Sequence, residues 1–582
     1  MLDIDATFRA RLLTLIGQIY PDHDGEDLGQ RIIDAFWPEG TASRKRGRVP
    51  GNRQWSERDA LVITYGNSIV DGQHKPLDLL RDFLHREMAG VVNGVHILPF
   101  FPYTSDDGFA VTDYRAVNPV LGDWADIQRI GSEFLLMSDL VLNHVSSQSK
   151  WFSAYLQGHE PYDRFFFEAS PEDDLSDVVR PRTHPLLREV ETSRGPRHVW
   201  CTFSHDQIDL NFANPEVLLE FLRVMRLHVD NGVRILRLDA VAFIWKEIGT
   251  KSIHMPQTHA IVRLMRLLAD FATEPIILLT ETNVPNRENL SYFGNRNEAH
   301  AVYNFSLPPL VLHAMMAGTA EKLIRWQGAM PPAQLGCAYL NFTASHDGVG
   351  MRPAEGILSP EDTAAVIETV RAFGGKVSMR ALPGGGESPY ELNITWFDAM
   401  KGTMAGGEDD LQIPRFLASQ TLVMALEGIP AFYIHSLLAT PNDYDGVEKS
   451  GHNRAINRHR WDYGLLQDRL RDPATPQHVV LEEMKRRIDI RRRQRGFHPN
   501  ATQFTLQLDR RIFGLWRQSL DRDQSIFALH NVSADALDID PFAINLIEGE
   551  DWVDLISGDR IDPAETGIRF APYQCRWITN RA

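Results

Sequence analysis

The stretch EFLLMSDLVLNH, residues 133–144, indicates the fold most clearly. Its apolar run is nearly continuous, which is typical of a parallel strand that is buried on both faces. Polar groups, among them Asp139, Asn143 and His144, come at its carboxyl end. Seven further short apolar runs occur along the chain: LVITYG (61–66), GVHILPF (94–100), VRILRLDA (233–240), IILLTET (276–282), AVYNF (301–305), AYLNFTASHD (338–347) and AFYI (431–434).

Helical patterns separate these runs. PEVLLEFLRVMRLHVDNG (215–232) and THAIVRLMRLLADFA (258–272) repeat apolar residues three and four positions apart, as amphipathic helices do. Eight strands that alternate with helices predict an α/β protein built on a (β/α)8 TIM barrel.

The other segments predict additions to this barrel. We expect inserted subdomains after strands 3 and 7, because long polar stretches follow both strands. The predicted divisions are an N-terminal helical extension (1–55), the catalytic barrel (56–144 and 211–502), an inserted domain B (145–210), a second insertion with an acceptor loop inside the barrel (348–415), and a C-terminal antiparallel β domain (503–582).

Composition excludes several classes of protein. The 582 residues include 60 Lys and Arg against 77 Asp and Glu, a net charge of −17, which disfavours nucleic acids and membrane surfaces as partners. No apolar run approaches the roughly 18 residues of a membrane span. Three widely spaced cysteines predict neither a disulfide framework nor a zinc site. The first 25 residues lack the pattern of a secretory signal, so we expect a cytoplasmic protein.

Four of the predicted strands end in charged residues. In a (β/α)8 barrel, polar residues at the carboxyl ends of strands are typically catalytic. A single Asp after a strand is usually a helix cap, but four strands that all end in carboxylates do not fit independent caps. The residues in question are Asp139, Asn143 and His144, then Arg237 and Asp239, then Glu281, then His346 and Asp347.

Several carboxylates around one pocket suit glycosyl transfer. A retaining mechanism needs one ionised carboxylate as nucleophile and one protonated carboxylic acid for the leaving oxygen. Arg237 lies two residues before Asp239 on the same face of the strand and would keep that carboxylate ionised. We therefore expect Asp239 to be the nucleophile, Glu281 the acid/base, and Asp347 a ligand of sugar hydroxyls that favours a distorted ring.

No cofactor is expected. His144 and His346 could donate hydrogen bonds to hydroxyls, and they lie on different strands with no compact His-x-x-x-His pair, so we expect no metal site. The chain also has neither a strand-linked Gly-x-Gly-x-x-Gly nor a Gly-Lys-Ser/Thr phosphate loop.

The segments SDLVLNH, RILRLDA, TET and ASHD resemble, in order and spacing, the four signature regions of the α-amylase superfamily, glycoside hydrolase family 13. The resemblance implies the same roles for Asp239, Glu281 and Asp347. Three longer segments, VHILPFFPYTSDDGFAVTDY, SPYELNITWFDA and NDYDGVEKSGHNRAINR, are similar to the sucrose phosphorylase subfamily. Asn143 stands where some amylases contact calcium, but the subfamily resemblance implies no calcium.

The subfamily resemblance also implies a glucosyl subsite. Asp106 and Arg454 would bind hydroxyls of the ring together with His144 and His346, and Phe109 would provide its apolar platform.

A phosphate or acceptor subsite is implied next to it by Arg182, within RPR, and by Tyr390. Phosphorolysis needs a cation with fork geometry near the acid/base. Arg380 in the second insertion is a weaker candidate for that cation.

Two positions depart from sucrose-specific relatives. Phe243 stands where those relatives have tyrosine, and Glu391 where they usually have glutamine. These changes resemble the branch that acts on glucosylglycerol or glucosylglycerate, whose members share the N-terminal extension. Glu391 would repel a glycerate carboxylate if it faced that subsite, which favours glycerol slightly, although Lys376 or Arg380 could supply a cation.

The predicted function is therefore that of a retaining α-glucoside phosphorylase, a glycosyltransferase. It would convert 2-O-α-D-glucosylglycerol or 2-O-α-D-glucosylglycerate and phosphate to α-D-glucose 1-phosphate and glycerol or glycerate through a glucosyl-enzyme. The alternatives are a sucrose or sucrose 6'-phosphate phosphorylase and an α-glucosidase or transglucosidase. A non-catalytic scaffold is disfavoured because all three carboxylates are present. We expect small molecules as partners, neither nucleic acid nor membrane, and a possible homodimer.

Overall fold

A closed barrel of eight parallel strands forms the centre of the molecule. We describe it from a computed structural model covering residues 6–38, 54–382, 386–544, 546–547, 550–562 and 567–581. The barrel strands in this part of the chain are β1 (Leu61–Thr64), β2 (Gly94–Ile97), β3 (Leu135–Val141), β4 (Val233–Asp239), β5 (Ile277–Thr280), β6 (Ala301–Tyr303), β7 (Ala338–Asn341) and β8 (Ile429–Tyr433). Each pairs with its neighbours in sequence, and β8 closes onto β1 with Ala431 opposite Leu61. The predicted barrel is confirmed.

The strands coincide with the apolar runs but are shorter than some of them. Strand β7 ends at Asn341, so His346 and Asp347 lie in the loop beyond it. Strand β4 extends to Asp239 itself, with Arg237 buried in the ladder beside β3. The polar ends of the runs therefore gather at one rim of the barrel, where loops rather than strands hold many of them.

Two N-terminal helices, α1 (Ala6–Ile19) and α2 (Gly25–Phe36), pack on two helices of the barrel, α3 (Pro215–Asp230) and α4 (Pro256–Phe271). The Asp24 carboxylate caps α2 by accepting hydrogen bonds from two backbone N–H groups. Phe8 of α1 meets Phe271 of α4 with ring centroids 4.8 Å apart. The predicted helical extension is thus attached to the outside of the barrel.

Further helices surround the barrel. They begin repeatedly with proline, whose fixed φ suits the first helical turn, as in Pro76–Phe83 and Pro476–Arg491. The others of the barrel layer are Trp124–Gly131, Asn286–Leu290, Leu307–Ala317, Glu321–Ala329, Gln412–Ala425, Ile434–Leu437, Tyr444–Ser450 and Tyr463–Arg471.

Both predicted insertions contain small sheets. After β3, strand His144–Ser146 pairs with Gln207–Asp209, and between them lie helix Lys150–Gln157 and the hairpin of Leu187–Thr192 with Gly195–Trp200. After β7, helix Pro360–Ala372 accompanies a sheet of Val349–Gly350, Lys376–Ala381 and Glu387–Asn393. Each insertion thus begins at the rim where the polar strand ends gather.

The C-terminal region is antiparallel, as predicted. Its main sheet joins Thr502–Leu506, Ile512–Gln518, Ser525–Asn531, Cys575–Thr579, Trp552–Asp554 and Arg560–Ile561, and a second pair joins Leu537–Ile539 to Ile568–Phe570. The buried Arg517 donates hydrogen bonds to the backbone oxygens of Ala425 and His498 and so fixes this sheet to the barrel. None of the described helices combines the length and apolar character that crossing a membrane requires.

Candidate active site

A buried arginine lies beneath the predicted nucleophile. Arg237, 3% exposed, forms ion pairs with Asp139 of β3 and with Asp239 two residues along its own strand. His96 holds the other oxygen of Asp139 at 2.7 Å. Burial acts to lower the pKa of Arg237, but the charges of Asp139 and Asp239 raise it well above its ordinary value. The guanidinium is therefore a permanent cation against Asp239.

Asp239 and Glu281 line the same buried cavity but have different partners. Burial raises the pKa of both carboxyl groups, and the negative charge of Glu281 raises that of Asp239 further. Asp239 has the ion pair with Arg237, whereas Glu281 accepts a hydrogen bond from the backbone N–H of Ala240 at 3.1 Å. The Arg237 charge favours the ionised form of Asp239, as the predicted nucleophile requires, and burial favours the protonated form of Glu281, as the predicted acid/base requires.

Asp347 belongs to a second cluster of charges at the rim. Arg454 lies 2.7 Å from its Oδ1 and grips Glu391 with two hydrogen bonds, of 3.0 and 2.5 Å. Glu391 is 1% exposed and also accepts a hydrogen bond from Asn393. The Glu391 carboxylate thus forms an ion pair with the Arg454 guanidinium. Glu391 lines a cavity of about 810 Å³, but Arg454, which also pairs with Asp347, offsets part of its negative charge and so weakens the argument that it would repel glycerate.

Aromatic rings and neutral imidazoles line the same narrow cavity as Asp239 and Glu281. Phe109 stacks on His346 at 4.8 Å with planes 9° apart. His144 is buried, and its Nε2 lies 3.2 Å from the backbone oxygen of Phe109 and 3.1 Å from the amide nitrogen of Gln207. Burial lowers the pKa of His144 to about 4 and that of His346 well below its ordinary value. Both rings are neutral near pH 7 and suited to hydrogen bonds with hydroxyls rather than to ion pairing.

The loop that carries Asp106 has an unusual backbone. Asp106 and Asp107 both have left-handed φ, 53° and 45°, and Gly108 follows at 116°. A Cβ at Gly108 would lie 2.7 Å from the backbone oxygen of Pro99, so only glycine fits there. Arg458 holds the loop by an ion pair of 2.6 Å to Asp107. This strained turn is over-determined by its contacts, as is common at functional sites.

Arg182 lies on two aromatic rings at the wall of two adjoining cavities. Its guanidinium lies over Tyr390 and Phe203, 5.1 and 5.7 Å from the ring centroids. It lines both the narrow inner cavity of about 50 Å³, which contains Asp239, Glu281 and Asp347, and an outer cavity of about 810 Å³.

The remaining candidates lie elsewhere. Phe243 meets Phe203 edge-on at 5.6 Å and backs the cavity wall without lining either cavity. Arg380 is paired with Glu355 at 2.8 Å, and Lys376 is exposed; neither lines the two cavities.

A lysine ammonium ties the strand ends together. Lys246, 6% exposed, donates hydrogen bonds to Asn143 Oδ1 and to the backbone oxygen of Phe243, both at 2.8 Å, and lies 3.0 Å from Asp209 Oδ2. The Lys246 ammonium is thus already bound to the oxygen atoms around Asn143. A site that contains this ammonium does not fit a calcium ion. Among the residues that the structure describes, no cluster of three His, Cys, Asp or Glu side chains could hold a metal.

Sequence reasoning missed several of these residues. Arg458 follows Arg454 by four positions in NRAINR, a repeat that could have indicated a second arginine at the site. Lys246 ends the apolar run VAFIWK, where a lone charge indicates a buried partner. Gln207 gave no signal, since its place beside His144 depends on strand pairing across the whole first insertion.

The barrel and its carboxylate rim define a class of enzyme. Residues 87–347 match the family model for the catalytic domain of α-amylase. The chain belongs to the α-amylase superfamily.

Within it, the chain belongs to a family of glycoside phosphorylases. It is 42% identical to a glucosylglycerate phosphorylase of Allomeiothermus silvanus, over 99% of this chain and 100% of that protein. It is 30% identical to a glucosylglycerol phosphorylase of Marinobacter adhaerens, over 68% of this chain and 82% of that protein. The solved structure of a sucrose 6F-phosphate phosphorylase from Thermoanaerobacter thermosaccharolyticum, at 23% identity, has the same fold, with a TM-score of 0.71 over 88% of this chain and 98% of that one.

Proposed function

We propose that the protein catalyses the reversible phosphorolysis of 2-O-α-D-glucosylglycerate to α-D-glucose 1-phosphate and glycerate. One observation carries the proposal. Of the arginines that line the two cavities, Arg237, Arg454 and Arg458 are paired with carboxylates. Arg182 alone among these has no carboxylate partner in the described part of the chain, so it is the guanidinium available to an anion.

The first half of the reaction forms a glucosyl-enzyme. An oxygen of the Asp239 carboxylate attacks the anomeric carbon while the bond from that carbon to the glycerate oxygen breaks. The Glu281 proton passes to the leaving oxygen, so glycerate departs with a hydroxyl group and Glu281 becomes a carboxylate. Arg237 keeps Asp239 ionised for the attack, which is the role that its ion pair supports.

The second half transfers the glucosyl group to phosphate. A phosphate oxygen attacks the anomeric carbon, its proton goes to Glu281, and the ester bond to Asp239 breaks. The products are α-D-glucose 1-phosphate and the original Asp239 carboxylate. Two inversions at the anomeric carbon give net retention.

Charge rather than size favours glycerate over glycerol. The outer cavity, about 810 Å³, does not discriminate between two three-carbon acceptors by volume. Arg182 can form two parallel hydrogen bonds with a carboxylate or a phosphate but gains no charge attraction from glycerol. The same guanidinium therefore serves glycerate in one half-reaction and phosphate in the other. The greater similarity to the glucosylglycerate phosphorylase points the same way.

The test is reverse phosphorolysis, in which the purified protein releases phosphate from α-glucose 1-phosphate with glycerate, glycerol or fructose as acceptor. Glycerate should give the highest kcat/KM. Arg182→Gln should raise the KM for glycerate and phosphate about 10- to 100-fold, the scale of a lost charge-assisted hydrogen bond. Hydrolysis of α-glucosyl fluoride, which needs neither anion, should change less than about twofold.

The matched control is Arg380→Gln, which removes an arginine of the other insertion that is paired with Glu355. It should leave the KM for both anions unchanged. Free glucose as the sole product at saturating phosphate would refute the proposed reaction, and a preference for glycerol or fructose would refute the acceptor. Equal effects of the two substitutions would remove Arg182 from the anion site.

We also propose a cytoplasmic location, which the buried thiols of Cys201 and Cys575, neither of them in a disulfide, support. The limits of the five predicted divisions and the homodimer stay predictions. Limited proteolysis tests the limits, and light scattering during gel filtration tests the dimer.

A further inference from the structure

Tyr20, directly after helix α1, connects the N-terminal extension to two loops of the active-site rim. It is 3% exposed. Its hydroxyl donates a hydrogen bond of 2.9 Å to the backbone oxygen of Phe212, which lies at the end of the first insertion. Its ring lies 6.3 Å from that of Trp245, in the loop after β4. One side chain of the extension thus contacts both segments.

The same two segments are joined from the inside by Lys246. Its ammonium contacts Asp209, three residues before Phe212, and the backbone oxygen of Phe243, two residues before Trp245. Tyr20 and Lys246 therefore both contribute contacts to the junction between the insertion and the β4 loop.

Residues next to this junction form part of the wall of the two cavities. Gln207 and Phe203 line both cavities, and Phe243 packs edge-on behind Phe203 at 5.6 Å. Arg182 in turn lies over the ring of Phe203. A shift of the junction would displace the surface on which the Arg182 guanidinium rests.

We propose that Tyr20 is a positioning residue for the acceptor half of the reaction, and that the N-terminal helices act through it on glycerate and phosphate binding. This inference rests on the proposed function. Two of the predicted catalytic carboxylates have support outside the junction, because Asp239 is fixed by Arg237 and Asp347 by Arg454. Tyr20 should therefore affect anion binding much more than formation of the glucosyl-enzyme.

The experiment compares Tyr20→Phe, which removes the hydroxyl and keeps the ring, with Trp245→Phe, which shrinks the partner ring. Glucosyl transfer from α-glucosyl fluoride to phosphate and to glycerate is measured separately, with hydrolysis of the fluoride alone as the baseline. Both variants should raise the KM for each anion about three- to tenfold, the scale of one lost contact. Hydrolysis of the fluoride should stay within about twofold.

The control is Phe8→Leu. Phe8 packs α1 on Phe271 and Trp37, away from the junction, so this change loosens the same helix without touching Trp245 or Phe212. It should lower the unfolding temperature but leave both KM values unchanged.

Three results would overturn the inference: unchanged KM values in Tyr20→Phe, an equal loss of fluoride hydrolysis, or the same KM shifts in Phe8→Leu. A wild-type enzyme that transfers no glucose to phosphate would instead refute the proposed function. In that case the effect of Tyr20→Phe on the KM for glycerate would still test the role of Tyr20.

Discussion

Replacing Glu391 by glutamine separates two readings of that side chain. If its carboxylate faced the acceptor, the change would remove a repulsion and improve glycerate as a substrate. The structure instead places the carboxylate, 1% exposed, in a two-bond pair with Arg454. We expect the substitution to weaken the anchor of Arg454 and to impair every substrate alike.

The magnitude follows from the contacts that remain. Glutamine keeps one oxygen to accept a hydrogen bond, and Arg454 keeps Asp347 at 2.7 Å, so the guanidinium is not left unpaired. The loss is therefore smaller than that of a fully broken buried pair, about 1–3 kcal/mol rather than about 3–5 kcal/mol. If expressed in catalysis, about 1–3 kcal/mol lowers kcat/KM about 5- to 150-fold.

The assay is reverse phosphorolysis with glycerate and with glycerol, together with thermal unfolding. The ratio of kcat/KM values for the two acceptors should stay within about twofold, since the Glu391 carboxylate is bound by Arg454. Glu355→Gln, which removes the charge of the half-exposed partner of Arg380, is the control and should leave both kcat/KM values unchanged. A glycerate preference that rises tenfold or more while the unfolding temperature is unchanged would refute the reasoning.

Three further predictions concern the protonation of buried groups. Glu281→Gln should slow glucosylglycerate far more than α-glucosyl fluoride, because only the former needs a proton on its leaving group; equal losses would contradict the acid role. Burial raises the pKa of Glu281, so its acid form persists to higher pH. The kcat/KM for glucosylglycerate should therefore fall as the pH rises through the pKa of Glu281. If this fall remained in Glu281→Gln, another group would be responsible for it. Burial also lowers the pKa of His144, His228 and His530 to about 4 each. An unfolded histidine titrates near 6.5, so the stability that these neutral rings contribute is complete above about pH 6.5 and is lost as pH falls towards 4, by about 1.4 kcal/mol per pH unit for each ring. Urea unfolding at pH 7, 5.5 and 4.5 measures this slope, and a free energy of unfolding that does not change between these pH values would contradict it.

The barrel could be predicted because each strand is buried on both faces. Burial makes the run continuous in the sequence, and the run ends where the chain reaches the polar rim, as Asp239 and Asp347 illustrate. The local sequence pattern was therefore enough to predict both the fold and the candidate carboxylates.

The partners of the charged groups could not be predicted in the same way. Glu391 reads as a free negative charge until the fold brings it to Arg454, 63 positions away. Arg380 reads as a candidate phosphate ligand until it is found with Glu355. Long-range packing decides whether a charged side chain has an ion-pair partner. For this reason the sequence could not distinguish Arg182 from the paired arginines that line the same cavities.

The ammonium of Lys246 has a consequence for the conditions under which such an enzyme can work. Inorganic phosphate sequesters calcium and precipitates with it, so a phosphorylase that relied on calcium at this junction would compete with its own co-substrate for its structural ion. A covalently attached cation cannot be extracted in this way. The strand ends held by Asn143, Asp209 and Lys246 should therefore keep their arrangement at any phosphate concentration and in the presence of chelators.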